Sequence, residues 1–467
     1  MRNLPTNEQV RFEREFSRRP HPVRIHSEKP HLSRRNFLNL AGAGVTASWL
    51  APKLSAGTVI NSTPVKAQNK AKNVIFILLS GAPSHIDTFD LKVLDSITPT
   101  TFRPETINGL NFPTGIMPKL AAQMNDFAIV RSVRSWALVH SLAQTWTQIG
   151  RNPAGVLGNV SPNIGSVVAL ELESQRRAGQ VFPTFLALNA NGAAGPGYMP
   201  ASYSPFKVTP ATTGLRNTTN ADGQARFDQR WDLLHHLDDP LRQNSPNSKV
   251  MEDFDQFYSA AKGLMYNPAV TKAFSFTAAD AALYGSTGFG NACLVAKQAL
   301  SADQGTRYIE IMLGGWDMHQ NIYAANQLPQ LTGTLDKGLG QLIADLKAEG
   351  LLEDTLIVMS GEFGRTTGRL SGAAGRDHHP QQFAFFAGAG VKGGRAIGAT
   401  DPSGGSTANP GWSRNRDIKA EDLEATIYSA LGINWTTVRY DDPLGRGFYY
   451  VPSSDRDVYA PINELWA

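Results

Sequence analysis

The chain has 467 residues, of which 41% are hydrophobic and 18% charged, a composition typical of a globular protein with one large domain or two. Its formal net charge is +4, but residues 1–67 hold eleven Lys or Arg against four Asp or Glu, so the rest of the chain has a net charge of −3. The composition therefore excludes a disordered protein and gives no indication of nucleic-acid binding.

The N-terminal segment has the features of a bacterial export signal. The stretch SRRNFL, residues 33–38, is a twin-arginine motif, and a mildly apolar segment from Leu40 to Leu50 follows it. This segment is too short to anchor the chain in a bilayer. We predict cleavage after Ala56 or Ala67, favouring Ala67 because of the small residues before it. The predicted product is a periplasmic or secreted protein without a stable membrane anchor; the alternative is a basic N-terminal helix that stays attached.

Strands and helices are predicted to alternate along the rest of the chain. The run NVIFILL, residues 73–79, is typical of a strand buried on both faces. Further strands are predicted at 127–133, 307–313, 355–360 and from 382, with helices in MPKLAAQMND, HSLAQTWTQIG, 331–346 and AEDLEATIYSALGI. A strand, helix and strand between 307 and 360 indicate a parallel crossover. The sequence therefore predicts an α/β fold with a mostly parallel central sheet flanked by helices on both faces.

The segment 185–300 differs from its surroundings because it is rich in Asn, Gly, Ser and Pro. We interpret it as an inserted cap region. The predicted organisation is a removed leader at 1–67, a first part of the main domain at 68–184, the insertion, and a second part at 301–467.

Polar motifs lie where the predicted strands end. SGAPSHID, RSWALVHS, GGWDMH and SGEFGRT each follow a strand, and GRDHHP precedes the last one. In α/β sheets, ligands bind beyond the carboxyl ends of the strands. The single cysteine, Cys293, excludes a cysteine-based zinc site, so a metal would need oxygen and imidazole ligands. These motifs hold five of the seven histidines beyond the leader and favour a divalent-metal site; for an isolated D-x-H motif, a surface loop is the alternative.

The motifs VIFILLSGAPSHIDTFD, GGWDMH, SGEFGRT, GRDHHP and DLEATIYSALGI, together with the leader, resemble the secreted bacterial family catalogued as domain of unknown function 1501. The resemblance covers about residues 72–450. That family is regarded as a branch of the alkaline-phosphatase and sulfatase superfamily. The resemblance therefore implies an alkaline-phosphatase-like fold and hydrolysis of sulfate or phosphate esters.

The resemblance also implies a nucleophile. SLAQTWTQIGR ends at Arg151, which places Ser141 at the nucleophile position with His140 just before it. The Pro and Arg that normally follow this position are Ala143 and Gln144, so conversion of Ser141 to formylglycine is not expected. Ser141 would act as an unmodified hydroxyl activated by a metal or by His140. The alternative is a serine that only caps a helix.

The metal positions of the superfamily match only in part. The acidic residue expected after the first strand is absent, and Phe363 stands where a histidine is usual. The resemblance therefore implies one divalent ion, Zn, Ca or Mn, in place of two. The candidate ligands are Asp317, His319, Glu362, Asp377, His378 and His379.

Two arginines are candidate anion clamps, because a guanidinium can hold a sulfate or phosphate group through two hydrogen bonds. They are Arg365 and Arg376; the alternative is a salt bridge from each to Glu362 or Asp377. The predicted function is an exported metal-dependent hydrolase of a small-molecule or glycan ester, which reaches its location through the twin-arginine machinery. A non-catalytic periplasmic or cell-surface binding protein with the same fold is the alternative.

Overall fold

The computed structural model describes residues 60–243, 248–452 and 458–467. The twin-arginine motif, the apolar segment after it and Ala56 lie outside these residues. The described residues belong to one compact unit, Thr58–Ala467. None of the helices within these ranges combines the length and apolarity that a membrane span requires.

Eight strands of the described chain form the central sheet. They are β1 Asn73–Ser80, β2 Phe127–Arg134, β3 Phe185–Leu188, β4 Phe206–Val208, β5 Tyr308–Gly314, β6 Thr355–Gly361, β7 Gln381–Ala387 and β8 Arg395–Ile397. Their spatial order is β8-β2-β7-β6-β1-β5-β3-β4. All strands except β7 share one direction, and β7 pairs antiparallel with β2 and β6. The predicted mostly parallel sheet is confirmed.

Helices cover both faces of this sheet. Within the described ranges they are α1 Pro118–Ala122, α2 His140–Ile149, α3 Ile164–Leu172, α4 Gln224–Gln243, α5 Ser248–Leu264, α6 Pro268–Phe274, α7 Ala278–Leu283, α8 Gly288–Ser301, α9 Leu328–Ala348 and α10 Ala420–Ala430. Ile75 and Ile77 of β1 pack in a core with α8 and α9, whereas Val74 and Phe76 pack in a second core with α3 and α10. Each fully buried aliphatic side chain of this kind contributes about 1.5–3 kcal/mol to stability.

Short strands complete the described structure. Ile60–Asn61, Val438–Arg439 and Phe448–Tyr449 form a three-stranded sheet, and two-stranded sheets join Pro104–Ile107 with Leu110–Pro113, Gly364–Arg365 with His378–His379, and Ala399–Thr400 with Thr407–Asn409.

The predicted strands at 73–79, 127–133, 307–313 and 355–360 are confirmed, each within one residue of its observed bounds. The segment 185–300, predicted as an insertion, contributes β3, β4 and α8 to the main sheet and its core, and α4 to α7 make up most of the remainder. The strands β3 and β4 have four and three residues, which is too short for a hydrophobic period to be read from the sequence.

One edge of the sheet collects the polar motifs. The strands β1, β5 and β6 end there at Ser80, Gly314 and Gly361. Because β7 runs the other way, it begins at the same edge with Gln381. The loop between β6 and β7 contains no α-helix, which is typical of a connection between neighbouring antiparallel strands. The loop before β7 therefore meets the loops that follow the other strands.

Residues before Gln68 take part in the fold. Ile60 and Asn61 pair with Arg439 and Val438. The backbone of Thr63 donates to Thr436 Oγ1 at 3.1 Å and accepts from Asn434 Nδ2 at 2.9 Å. Cleavage after Ala67 would remove these contacts, whereas cleavage after Ala56 would keep them.

We expect a chain that begins at Gln68 to be less stable than a chain that begins at Gly57. The lost strand pairing and Thr63 contacts are worth about 1–3 kcal/mol in total. Thermal unfolding of the two chains under the same conditions checks this difference. Equal Tm values would contradict the structural role of residues 60–67.

Candidate metal centre

Four side chains converge at the carboxyl edge of the sheet. Among the described residues, His140, Asp317, His319 and His378 each offer one ligand atom, and these atoms lie within 4.8 Å of one another. His140 begins α2, Asp317 and His319 follow β5, and His378 precedes β7. The sheet topology therefore brings together three chain segments that are distant in sequence.

The distances within this cluster fit a single metal ion. Asp317 Oδ1 lies 2.9 Å from His319 Nε2, 3.2 Å from His140 Nε2 and 3.9 Å from His378 Nε2. The Nε2 atoms of His319 and His378 are 3.3 Å apart. Ligand atoms that surround one zinc ion at about 2.0–2.1 Å are separated from one another by roughly 3–4 Å.

The outer nitrogen of each histidine ring is held by an oxygen atom. An imidazole that donates a hydrogen bond from Nδ1 presents the lone pair of Nε2 to a metal. The outer partners are Glu362 Oε1 for His140 at 2.7 Å, Asp377 Oδ1 for His319 at 2.9 Å, and the Leu138 carbonyl for His378 at 2.9 Å. The buried Nε2 of His140 has no hydrogen-bond partner among the described residues. With the proton of each ring on Nδ1, the three Nε2 lone pairs face one another, and the donor set fits a divalent cation.

The loop that follows β5 positions Asp317 and His319. Its side chains alternate, with Trp316 and Met318 buried and the two candidate ligands turned outward. Gly81 lies against this loop with φ +107°, and a Cβ atom there would be 2.7 Å from the Asp317 nitrogen. Only glycine allows this close approach. The strand itself ends at Gly314, so the D-x-H motif lies in the loop that follows it.

Arg365 is a buried residue that holds Asp317 in place. Its five N–H groups all have protein acceptors, which are the Ala82 carbonyl for Nε, the Gly81 carbonyl and Asp317 Oδ1 for Nη2, and the Arg376 carbonyl and His319 Nε2 for Nη1. Partial burial opposes ionisation of Asp317, but the hydrogen bond and the charge of Arg365 outweigh it and lower the pKa of Asp317. The carboxylate is therefore ionised and ready to bind a cation.

Two of the histidines have pKa values shifted in opposite directions. The hydrogen bond that His140 donates to Glu362 raises the pKa of His140. Burial lowers the pKa of His378, which favours the neutral ring that a metal requires. A proton would therefore compete with a metal ion more strongly at His140 than at His378.

The remaining sequence-predicted residues have other positions. Glu362 and Asp377 contact the outer ring nitrogens of His140 and His319. His379 lies outside the four-residue cluster: it bonds to the Gly405 carbonyl at 2.8 Å and its ring stacks with that of His85.

Arg376 is fully buried and pairs with Asp87, which was not among the predicted site residues. Its Nε donates to Asp87 Oδ2 at 2.6 Å, and Nη2 donates to the hydroxyl of Tyr323 at 3.0 Å. Asp87 lies in the motif SGAPSHID, so its position after β1 was the available signal.

Ser141 is exposed as the second residue of α2. Within the described chain, no hydrogen bond joins its hydroxyl to the four-residue cluster.

These features define an α/β protein with a candidate divalent-metal centre at the carboxyl edge of its sheet. A family described as "Protein of unknown function (DUF1501)" matches residues 71–458, and the chain belongs to that family. A comparison with curated protein sequences gives no match.

A comparison with solved structures finds several similar chains. A sulfatase from Pseudoalteromonas sp., PsFucS1, is 13% identical with a TM-score of 0.37, covering 78% of this chain and 68% of its own. A protein in the alkaline phosphatase superfamily from Vibrio parahaemolyticus is 11% identical with a TM-score of 0.36, covering 86% and 76%. The C-terminal periplasmic domain of EcEptC from Escherichia coli, in complex with Zn, is 9% identical with a TM-score of 0.38, covering 86% and 91%. Likeness at this level does not identify a reaction.

We expect Asp377→Ala to weaken zinc binding by about 10–100-fold, because His319 loses the acceptor that orients its ring. The carboxylate of Asp377 is 61% exposed, so the substitution spares the core. Titration of zinc against a competing chelator measures the affinity. Asp354→Ala is the matched control, since it removes an exposed carboxylate that pairs with Lys72. Unchanged zinc affinity in Asp377→Ala would contradict the assignment of Asp377 as an orienting residue.

Proposed function

We propose that this protein is a metal-dependent hydrolase of phosphate or sulfate esters. The observation that carries the proposal is the convergence of three imidazole nitrogens and one carboxylate oxygen within 4.8 Å of one another. Zinc fits this donor set better than the other ions predicted from the sequence, because calcium prefers an oxygen-only shell and manganese a mainly oxygen one. When bound, the ion would act as a Lewis acid towards an ester oxygen.

Access to solvent supports a catalytic site. The side chains of Asp317 and His319 are 48% and 40% exposed. A substrate can therefore approach the cluster from the side that these two residues share. The opposite side is closed by buried groups, including Glu362 and Arg365.

The first turn of α2 supports an anionic substrate. His140 is its first residue, and Val139 at the N-cap contributes no side-chain hydrogen bond. The first backbone N–H groups of a helix have no partner within the helix, and they attract anions. In this protein they lie beside the cluster, because His140 belongs to both. A phosphate or sulfate group placed there would contact the helix end and the metal together.

Ser141 is one of two candidate nucleophiles in this proposal. It lies in the same first turn, and the field of the helix end favours the ionised hydroxyl. A water molecule is the other candidate. Ala143 and Gln144 follow Ser141, so the proposal uses an unmodified serine.

A non-catalytic binding protein is the second candidate function. Four protein ligands would complete a tetrahedral shell, as they do in structural zinc sites. The N–H groups of Arg365 are all engaged by protein acceptors, which leaves them without a free donor for a substrate in this state. In this alternative the metal would stabilise the loops that carry its ligands.

The proposal places the protein outside the cytoplasm, on the basis of the twin-arginine motif at residues 33–38. Its substrate would then be a small-molecule or glycan ester in the periplasm or the medium.

We expect the purified protein to hold one zinc ion per chain and to hydrolyse 4-nitrophenyl phosphate or 4-nitrophenyl sulfate. Loss of a ligand in His319→Ala should lower both zinc content and turnover, the latter on the order of 10³-fold. Elemental analysis and release of 4-nitrophenol measure the two quantities.

The Ser141→Ala variant distinguishes between Ser141 and water as the nucleophile. A loss of turnover with zinc retained identifies the serine, and unchanged turnover identifies water. Zinc without turnover over a broad ester panel would contradict the hydrolase and support the binding protein. A chain that binds no divalent ion would contradict both.

A further inference from the structure

One N–H group of Arg365 has the ring nitrogen of His319 as its acceptor. Its Nη1 donates to His319 Nε2 at 3.2 Å, and its other four N–H groups bond to acceptors that do not depend on that nitrogen. The arginine side chain is 1% exposed, so an N–H that loses its protein acceptor is a buried donor without a partner.

Asp317 and His319, the two residues of the cluster that accept hydrogen bonds from Arg365, differ in the number of lone pairs they offer. A carboxylate oxygen has more than one lone pair, so Asp317 Oδ1 can keep its hydrogen bond to Nη2 while it binds a metal. A ring nitrogen has one lone pair. Because His319 Nδ1 is already paired with Asp377, His319 has only the lone pair of Nε2 to offer.

Metal binding therefore changes the hydrogen bonding of Arg365. The lone pair of His319 Nε2 would go to the metal, and one N–H of Nη1 would lose its acceptor. A buried donor without an acceptor is unfavourable. An oxyanion that accepts from Nη1 and contacts the metal would remove this cost.

We propose that metal binding makes one N–H of Arg365 Nη1 available to bind an anion. In the metal-free protein this N–H donates to His319, and once the metal is bound it donates to a phosphate or sulfate oxygen. This inference rests on the metal site of the proposed function and adds to it the residue that recognises the anion. It also unites the two roles considered for Arg365, since Nη2 positions Asp317 while Nη1 binds the anion. Anion and metal are then linked, and each increases the affinity for the other by the same factor.

Calorimetric titration of the full chain tests the linkage. Phosphate and sulfate are added separately to zinc-loaded and metal-free protein. We expect at least one of them to bind roughly 10-fold more tightly, or better, when zinc is present. Zinc affinity should rise by an equal factor in the presence of that anion.

Arg365→Lys tests the residue. Lysine keeps the charge but cannot reproduce the separate Nη1 and Nη2 donors. We expect the Arg365→Lys protein to bind zinc, and we expect zinc to increase its anion affinity by roughly 2-fold or less. Arg416→Lys is the control, because Arg416 pairs with the buried Asp422 outside the four-residue cluster. Its linkage should stay at the wild-type value.

Each outcome bears on a different claim. Failure to bind zinc overturns the metal site and this inference together. Zinc binding with equal anion affinity in both states, or with full linkage in Arg365→Lys, overturns the inference alone. If Arg365→Lys does not fold, a crystal structure of the wild-type protein with zinc and phosphate decides. The inference requires a phosphate oxygen within hydrogen-bond distance of Nη1, and a retained bond from Nη1 to His319 overturns it.

Discussion

The mutual repulsion of three ring nitrogens and a carboxylate is the constraint on which the site depends. His140, His319 and His378 each donate from the outer nitrogen, which leaves three Nε2 lone pairs beside the charge of Asp317. Arg365 offsets part of this negative potential through its hydrogen bonds to Asp317 and His319, and a cation between the four atoms would offset more of it. The outer acceptors are thus as important as the ligands, because they keep the rings from turning away.

The fold serves this constraint through the direction of its strands. The antiparallel β7 begins where its parallel neighbours end, so His378 meets residues that follow β2 and β5. Close backbone packing fixes the loops, as at Gly81, where a side chain would collide with the Asp317 backbone. Arg365 then connects the loop after β1 with the loop after β5. The apolar cores on both faces of the sheet stabilise the fold, and the candidate metal ligands lie at its carboxyl edge.

The sequence predicted those parts that depend on local patterns. The apolar runs predicted β1, β2, β5 and β6, and the leucine spacing of α9 predicted the crossover, whereas the short strands β3, β4 and β8 were not predicted. Strand-end motifs suggested Asp317, His319 and His378 as ligands before their distances were known. The direction of β7 was not predictable, since it depends on which strands become neighbours. Nor was the pairing of Arg376 with Asp87, because the two residues are 289 positions apart. Glu362 was predicted as a metal ligand and His140 as a residue that could activate Ser141, but in the structure His140 lies in the cluster and Glu362 contacts its outer nitrogen.

The central claim concerns the atoms around the metal, and X-ray absorption at the zinc edge of the loaded protein tests it most directly. Three imidazole nitrogens and at least one oxygen are expected at about 2.0–2.1 Å from the zinc ion. The multiple-scattering features of the rings should weaken by one third in His319→Ala. A shell made only of water-like oxygens, with no imidazole scattering, would contradict the account.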